Sequence, residues 1–107
     1  LENLCAITLY KKYGSGIYYF NRNIEVDFYV PDEGLAVQAC YRMSDKTTLE
    51  REIKALVALN SLYPLTKAMI VTYEDEGVME RDGLKIEIVP VWKWVLNGVT
   101  KASQKTT

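Results

Sequence analysis

Residues 24–41 read IEVDFYVPDEGLAVQACY, and their pattern is typical of a β-hairpin. Apolar residues recur at every second position in both halves: Val26, Phe28 and Val30, then Leu35, Val37 and Ala39. The four-residue loop at 31–34 closes the hairpin so that Val30 faces Leu35. This register predicts that one face of the hairpin is wholly apolar.

The opposite face of the predicted hairpin collects polar side chains. In this register Asp27 lies opposite Gln38 and Glu25 lies opposite Cys40, with opposed Cβ atoms about 5 Å apart. Two carboxylates on one strand suit a magnesium ion, which takes oxygen ligands and few of them from protein. A solvent-facing carboxylate pair is the commoner outcome of such spacing, and both interpretations stay open.

Periodicity extends the prediction on both sides of the hairpin. Apolar residues at helical spacing indicate a first helix over residues 1–13, and a short aromatic strand follows at 17–20. After the hairpin, Thr47 and Glu50 form a capping box that begins a longer second helix, which ends at Pro64. The hairpin and the strand before it are expected to form an antiparallel meander.

The second half of the chain predicts two more strands. Residues 67–73 contain a continuous apolar run, expected of a central strand covered on both faces. An acidic loop follows at 74–77, a last strand runs from 84 to 90, and residues 91–96 form a short closing helix or extended segment. The order α-β-β-β-α-β-β-α indicates an α+β sandwich, and from this order alone several such sandwiches with a meander remain open.

Composition bounds the class of protein. With 107 residues, 49% of them hydrophobic, the chain fits one globular domain. Its 13 basic and 14 acidic side chains lack the basic excess usual in nucleic-acid-binding domains. The absence of histidine excludes Ser-His-Asp and Cys-His nucleophile systems and imidazole metal ligands.

The ends and the cysteines indicate context. The chain begins at Leu1 rather than at methionine, which predicts a piece of a longer protein. Cys5 and Cys40 are too far apart for a zinc ribbon or a thioredoxin-type motif, so two buried thiols in a reducing compartment are expected. No membrane-spanning run or secretory signal is present, which predicts a cytoplasmic location without a membrane partner.

Two further features are assigned to ordinary structural roles. Trp92 and Trp94 stand among aliphatic residues, and closure of the core is favoured over a binding surface. The acidic loop at 74–76 lacks the spaced oxygen ligands of a calcium loop, and a solvated loop is favoured.

Four segments taken together resemble one known family. They are residues 1–3 (LEN), 18–20 (YYF), 25–28 (EVDF) and 35–38 (LAVQ). They resemble a carboxy-terminal domain of unknown function that follows a P-loop (AAA-type) ATPase domain in many bacterial and archaeal proteins.

The resemblance covers about residues 1–97. It implies a restriction-endonuclease-like, PD-(D/E)xK fold with a central mixed sheet and helices on both faces. The ATP-binding domain would lie upstream in the parent chain. Residues 98–107 are polar and are expected to form a disordered tail.

The resemblance also implies a nuclease-type site. In active nucleases of this superfold, an acid on the first helix, an aspartate on the second strand and an acid-x-lysine pair on the third strand hold magnesium and activate water. These positions fall on Glu2, Asp27, Gln38 and Cys40. Gln38 offers only a neutral oxygen, and Cys40 cannot replace the lysine, so the resemblance implies a degenerate site with no cofactor bound in this domain.

Three functional hypotheses follow. The first is a catalytically inactive accessory domain used in protein contact or regulation, with the upstream ATPase domain, another protein or a second copy as partner. The second is a magnesium-dependent nuclease in which Glu2, Glu25 and Asp27 bind the metal and Lys54 replaces the missing lysine. The third is a nucleic-acid-binding module without cleavage, which the near-neutral charge does not favour. It rests on these basic residues: Lys11, Lys12, Lys46, Arg51, Lys54, Lys101 and Lys105.

Overall fold

The computed structural model describes residues 1–21 and 23–97, so the predicted tail at 98–107 lies outside the described residues. In this part of the chain the elements are α1 (Glu2–Tyr13), β1 (Tyr18–Asn21), β2 (Glu25–Val30), β3 (Leu35–Ala39), α2 (Lys46–Leu62), β4 (Lys67–Thr72), β5 (Gly77–Arg81), β6 (Leu84–Pro90) and α3 (residues 91–97). A 3-10 turn, Pro31–Glu33, joins β2 to β3. None of the described helices has the length and apolar character needed to cross a bilayer.

The strands form one mixed sheet in the order β1-β2-β3-β4-β6-β5. The first three strands make the predicted antiparallel meander. Strands β3, β4 and β6 run parallel to one another, and β5 pairs antiparallel with β6 at the edge. The carboxyl ends of the three parallel strands therefore meet at one edge of the sheet, which is where open α/β sheets commonly bind ligands.

Helices cover both faces of this sheet. Ile53, Leu56 and Leu59 of α2 pack on one face, in a core that includes Ile70 of β4. Cys5 and Leu9 of α1, together with the start of α3, pack on the other face. Residues 68–71 of β4 are accordingly buried on both sides, as their apolar run predicts. The α+β sandwich with helices on both faces is confirmed.

The prediction of two strands after α2 is wrong, because β5 is a third. Asp82 and Gly83 join β5 to β6, and both have positive φ angles, 52° and 83°. Such angles are typical of the two-residue turns that close tight hairpins, and Asp-Gly is a strong sequence signal for them. The strand was missed because β5 is an edge strand, Gly77-Val78-Met79-Glu80-Arg81, with little apolar character.

The start of α2 also differs from the prediction. The helix begins at Lys46 with Asp45 as its N-cap, two residues before the predicted capping box. The Asp45 carboxylate accepts from the Thr48 backbone N–H at 3.2 Å and from the Thr48 hydroxyl at 2.9 Å. Glu50 instead accepts two hydrogen bonds from the Arg81 guanidinium, at 2.7 and 3.2 Å. Aspartate is as good an N-cap as threonine, and local sequence alone could not choose between them.

The cysteine prediction is confirmed, whereas the tryptophan prediction holds for one residue of two. Cys5 and Cys40 are free and buried. Trp94 is half-buried against the core between α1 and the sheet. Trp92 is 59% exposed, so its assignment to core closure is wrong. On the short helix α3, these two residues cannot both face the sheet.

Candidate functional site

The hairpin pairs as predicted only at its loop end. Phe28 lies opposite Val37, Tyr29 opposite Ala36 and Val30 opposite Leu35, which is the predicted register. The ladder between β2 and β3 stops at Phe28. The predicted pairs that involve Glu25 and Asp27 are therefore not part of it, and that part of the register prediction is wrong.

A β-bulge explains why the ladder stops. On the other side of β2, Tyr18 pairs with Tyr29 and Phe20 with Val26, so two residue steps on β1 span three on β2. Val26 consequently packs in the α2-side core together with Tyr29, whereas Phe28 packs on the α1 side. Val26 therefore leaves the predicted apolar face, because the bulge reverses the alternation there. The other five residues share the α1 side as predicted: Phe28, Val30, Leu35, Val37 and Ala39.

Two side chains take the place of the missing ladder. The Asp27 backbone N–H donates to Gln38 Oε1 at 2.8 Å, and the Ala39 backbone N–H donates to Asp27 Oδ2 at 2.9 Å. Gln38 Nε2 donates to the Glu25 carbonyl at 3.0 Å and to the Glu52 carbonyl in α2 at 3.4 Å. Asp27 and Gln38 thus join the separated strands, and Gln38 ties both of them to α2.

The two positions assigned to the missing acid and lysine are buried beneath the surface. Gln38 is fully buried and Cys40 is 1% exposed, as expected of a buried thiol, so neither residue offers its side chain at the surface. The reason is α2, which covers this face of β3. The Cys40 thiol donates to the Arg42 carbonyl at 3.4 Å. Burial raises the pKa of this thiol, so the group is uncharged near neutral pH, unlike a lysine.

The predicted carboxylates do come together. Glu2 of α1 and Glu25 and Asp27 of β2 line one open cleft of about 1360 Å³. Glu52 of α2 lines the same cleft, and sequence reasoning missed it. Among the residues that the structure describes, the charged lining comprises five acidic and three basic residues: Glu2, Glu25, Asp27, Glu50 and Glu52, with Lys46, Arg51 and Lys54.

A signal for Glu52 is present in the sequence. It lies on the apolar stripe of α2, three residues after Leu49 and one before the buried Ile53. An acid within the core-facing stripe of a helix is unusual, because burial of a charge is costly. Such a residue is a candidate for a functional or electrostatically perturbed group.

Burial, and after it the neighbouring carboxylates, raise the pKa values of two acidic groups in the cleft. Burial raises the pKa of Asp27, and the charges of Glu2 and Glu25 raise it further. The hydrogen bond from the Ala39 N–H and the charge of Arg51 lower this pKa and offset part of the rise. The pKa of Glu52 is raised to about 7, mainly by burial and next by the charge of Asp27, whereas the charge of Arg51 lowers it. Near neutral pH the Glu52 carboxyl is therefore partly protonated, which relieves repulsion within the cleft.

The donor chemistry suits magnesium, since the cleft offers carboxylate oxygens. The third-strand position supplies only a neutral amide oxygen, which is fully buried and accepts from the Asp27 backbone N–H. Over residues 1–21 and 23–97, no three acidic or cysteine side chains are grouped as a metal site. Glu2 and Glu25 are exposed, so an ion at Asp27 would require their side chains to turn toward it.

The basic residues of the third hypothesis do not share one surface. Lys46, Arg51 and Lys54 line the acidic cleft. Lys12 lines a smaller cavity of about 270 Å³ between α1 and the sheet, and its ammonium lies 5.3 Å from the Tyr13 ring centroid. Lys11 is exposed in the last turn of α1, and the two tail lysines, Lys101 and Lys105, lie outside the residues that the structure describes.

Comparison with known proteins shows similarity to a protein of an archaeon. The chain is 39% identical over 108 aligned residues to the archaeal protein named Uncharacterized protein MJ1544, from Methanocaldococcus jannaschii. The match covers 90% of this chain and 24% of the relative, so the chain spans about a quarter of that protein's length. No protein-family model matches the chain, and no solved structure gives a significant match.

Proposed function

We propose that this chain is a restriction-endonuclease-like module whose nuclease site has degenerated, and that it serves in protein contact or regulation. The observation that carries this proposal is the state of Gln38. Its amide oxygen accepts from Asp27, and its amide nitrogen donates to two backbone carbonyls. The position that holds metal in active relatives of this superfold is thus committed to joining β2, β3 and α2.

The placement of the other site residues supports the fold part of the proposal. The resemblance assigns acids to the first helix and second strand, and Glu2 of α1 and Asp27 of β2 line one cleft. The third-strand residue Gln38 lies next to the cleft, because its Oε1 accepts from the Asp27 backbone N–H, and Cys40 is buried two residues further along the chain. A buried neutral thiol at the lysine position leaves no cation there to orient a nucleophile.

We propose further that the module is the carboxy-terminal accessory domain of a cytoplasmic ATPase of bacterial or archaeal type. The support is the resemblance together with the archaeal relative, of which 24% matches this chain. ATP would then bind upstream, and the upstream domain would be the first partner. A Gly-x-x-x-x-Gly-Lys-Ser/Thr loop in the upstream coding sequence is the expected finding, and its absence would contradict the ATPase assignment.

The loss of cleavage is tested by incubating the 107-residue chain with supercoiled DNA, and separately with single-stranded RNA, in millimolar magnesium. We expect no nicking above the level of the Asp27→Ala variant. The matched control is Asp32→Ala, which removes a carboxylate from the turn after β2, outside the cleft lining. Nicking by the wild type that is lost in the Asp27 variant and kept in the Asp32 variant would overturn the proposal.

A magnesium-dependent nuclease with a rearranged site is the second candidate. One observation favours it: Glu2, Glu25, Asp27 and Lys54 all line the same cleft. Magnesium titration by calorimetry tests its premise. Saturable heat that disappears in Asp27→Asn and persists in Asp32→Asn would support this candidate, and no heat at millimolar magnesium would remove it.

A nucleic-acid-binding role without cleavage is the least supported. Of the described residues that line the cleft, more are acidic than basic, and this excess of negative charge repels phosphate. A nucleic-acid-binding role predicts a DNA affinity that falls steeply as the salt concentration rises. Absence of a mobility shift with any DNA at low salt would contradict this role.

A further inference from the structure

Two exposed tyrosines lie side by side at the carboxyl ends of neighbouring parallel strands. Tyr41 follows β3 and Tyr73 follows β4, and the register between these strands pairs Ala39 with Val71. The ring centroids are 5.3 Å apart and the planes are inclined by 50°. The rings are 57% and 48% exposed. They form a paired aromatic surface, which we call the tyrosine pair.

The backbone under the tyrosine pair is held by hydrogen bonds between the two strand ends. The Cys40 N–H donates to the Val71 carbonyl at 2.9 Å. The Met43 N–H donates to Asp75 Oδ2 at 2.8 Å, and the Thr72 hydroxyl donates to the Asp75 carbonyl at 2.7 Å. The segments that carry the two rings are therefore ordered without a ligand, so binding there would cost little conformational entropy.

Core packing does not account for these rings. Neither tyrosine belongs to the two hydrophobic clusters that fill the sandwich. Trp92, 59% exposed, is the second residue after β6, the third parallel strand, so it lies at the same edge. Exposed aromatic residues gathered at one edge are typical of an interaction surface, since such side chains dominate the energetics of interfaces.

The charge around the tyrosine pair is negative. The two strand-end loops, residues 41–45 and 73–76, carry four carboxylates (Asp45, Glu74, Asp75 and Glu76) and one guanidinium (Arg42). Glu76 pairs with Lys93 of α3. Glu74 is exposed, and no ion pair of this residue is found among the described residues. A cation is therefore the complementary group, and phosphate is not.

We propose that the tyrosine pair and Glu74 bind an arginine side chain of a basic segment in a partner protein. A guanidinium stacks on tyrosine faces and donates to a carboxylate at the same time, which the compact lysine ammonium does less well. The inference rests on the proposed role in protein contact and names the chemistry of the partner. Single-stranded nucleic acid, whose bases also stack on tyrosine, is the competing occupant.

The test uses the peptide Gly-Arg-Gly-Arg-Gly-Arg-Gly and its matched analogue with citrulline, which keeps the shape of arginine without its charge. Tyrosine ring resonances of the isotope-labelled 107-residue chain are followed by NMR at low salt. We expect the arginine peptide to shift the Tyr41 and Tyr73 signals with millimolar or tighter affinity. Replacing arginine by citrulline in the peptide should weaken binding by about tenfold or more, and so should Tyr73→Leu in the protein. Glu74→Gln should also weaken binding.

Two variants serve as controls. Tyr73→Phe keeps the ring and should retain binding. Tyr10→Leu removes a tyrosine that is 67% exposed on α1 and should change nothing. Equal binding of the citrulline peptide, unchanged affinity in Tyr73→Leu, or no shift at millimolar peptide would overturn the inference.

Shifts of the same two rings by an oligothymidine, in the absence of arginine binding, would overturn it in favour of nucleic acid. The cleavage assay with the Asp27 variant gives its result independently. The inactive-module proposal and the arginine site can therefore fail separately.

Discussion

The two ends of the β2–β3 strand pair satisfy their backbone groups in different ways. At the loop end, residues 28–30 and 35–37 form an ordinary antiparallel ladder. At the other end, the Asp27 and Ala39 N–H groups donate to side-chain oxygens of Gln38 and Asp27. The strands separate where side chains replace the ladder, and the acidic cleft opens there.

This difference shows why polar residues stand in a strand that is otherwise core. Every residue of β3 is buried, including Gln38. A buried N–H or C=O without a partner is costly, and only a side chain with both a donor and an acceptor can serve two groups of opposite kind. An amide does this without charge, whereas a carboxylate has no donor for the Glu25 carbonyl. The residue that bridges the strands is therefore a neutral amide, and the position lacks the negative charge that a carboxylate would supply to a magnesium ion.

Removing the bridge should have the largest effect. Gln38→Leu keeps the volume and leaves the Asp27 N–H and Glu25 carbonyl without the bonds that they make to this side chain. We expect a loss of about 3 kcal/mol in the free energy of unfolding. Urea denaturation measures it.

The control at the ladder end is Val37→Ala, which removes apolar volume and no hydrogen bond. It should cost about 2 kcal/mol through the cavity that it leaves. Amide hydrogen exchange separates the two variants, since only Gln38→Leu should speed exchange at Asp27. Unchanged exchange at Asp27 would mean that the bridge does not hold the open end.

The second largest loss of stability is expected from Gly34→Ala at the loop end of the strand pair. Gly34 has φ 59°, and an added Cβ would lie 2.7 Å from Thr66 Oγ1 and 3.0 Å from the Thr66 backbone nitrogen. Alanine is strained in this left-handed backbone conformation, and its Cβ would be too close to Thr66. Together these two effects should lower the free energy of unfolding by about 2 kcal/mol.

Gly77→Ala is the matched control, because no atom lies within 4 Å of its added Cβ and its φ is not positive. It should leave the melting temperature unchanged or slightly raised. Equal losses in the two glycine variants would show that the turn geometry at Gly34 is not the cause.

The smallest effect concerns the charge at the open end. The pKa of Glu52 is raised from 4.5 to about 7 in the folded chain, so the folded state binds more protons than the unfolded state between these values. Stability should therefore fall as pH rises from about 4.5 to about 7. Because water reaches the cleft and screens the charge, we expect a change of about 1 kcal/mol.

Glu52→Gln should flatten this pH dependence and stabilise the chain at pH 8, as measured by thermal unfolding across the range. Glu80→Gln, on the exposed face of β5, is the control and should leave the dependence as it is. A wild-type chain whose stability rises steadily from pH 5 to pH 8 would contradict the raised pKa.

Local patterns predict much of the fold. Alternation along residues 24–41 indicates the hairpin and the register of its loop end, which the structure confirms. The apolar run at 68–71 indicates a strand buried on both faces, and helical spacing indicates α1 and α2. These predictions succeed because periodicity and burial are local properties of the chain, set by which residues can face a core.

The candidate site is predicted in part. Glu2, Glu25 and Asp27 were selected from the sequence, and the structure brings them to one cleft. The sequence does not predict that Gln38 is buried, because α2 is distant in sequence and covers this residue only in the folded chain. Glu52 joins the site from α2 for the same reason, since no local pattern relates it to β2.

Sequence and tertiary structure thus decide different things about this protein. Residue order alone determines the types of most elements, the hairpin with its loop and the chemical identity of the carboxylates, because these depend on backbone preference and side-chain type. Only the tertiary structure decides that a bulge at β2 parts the strands, that Gln38 bridges the gap and that Tyr41 meets Tyr73. Those features depend on which strands and helices become neighbours, and that is a property of the whole packed chain.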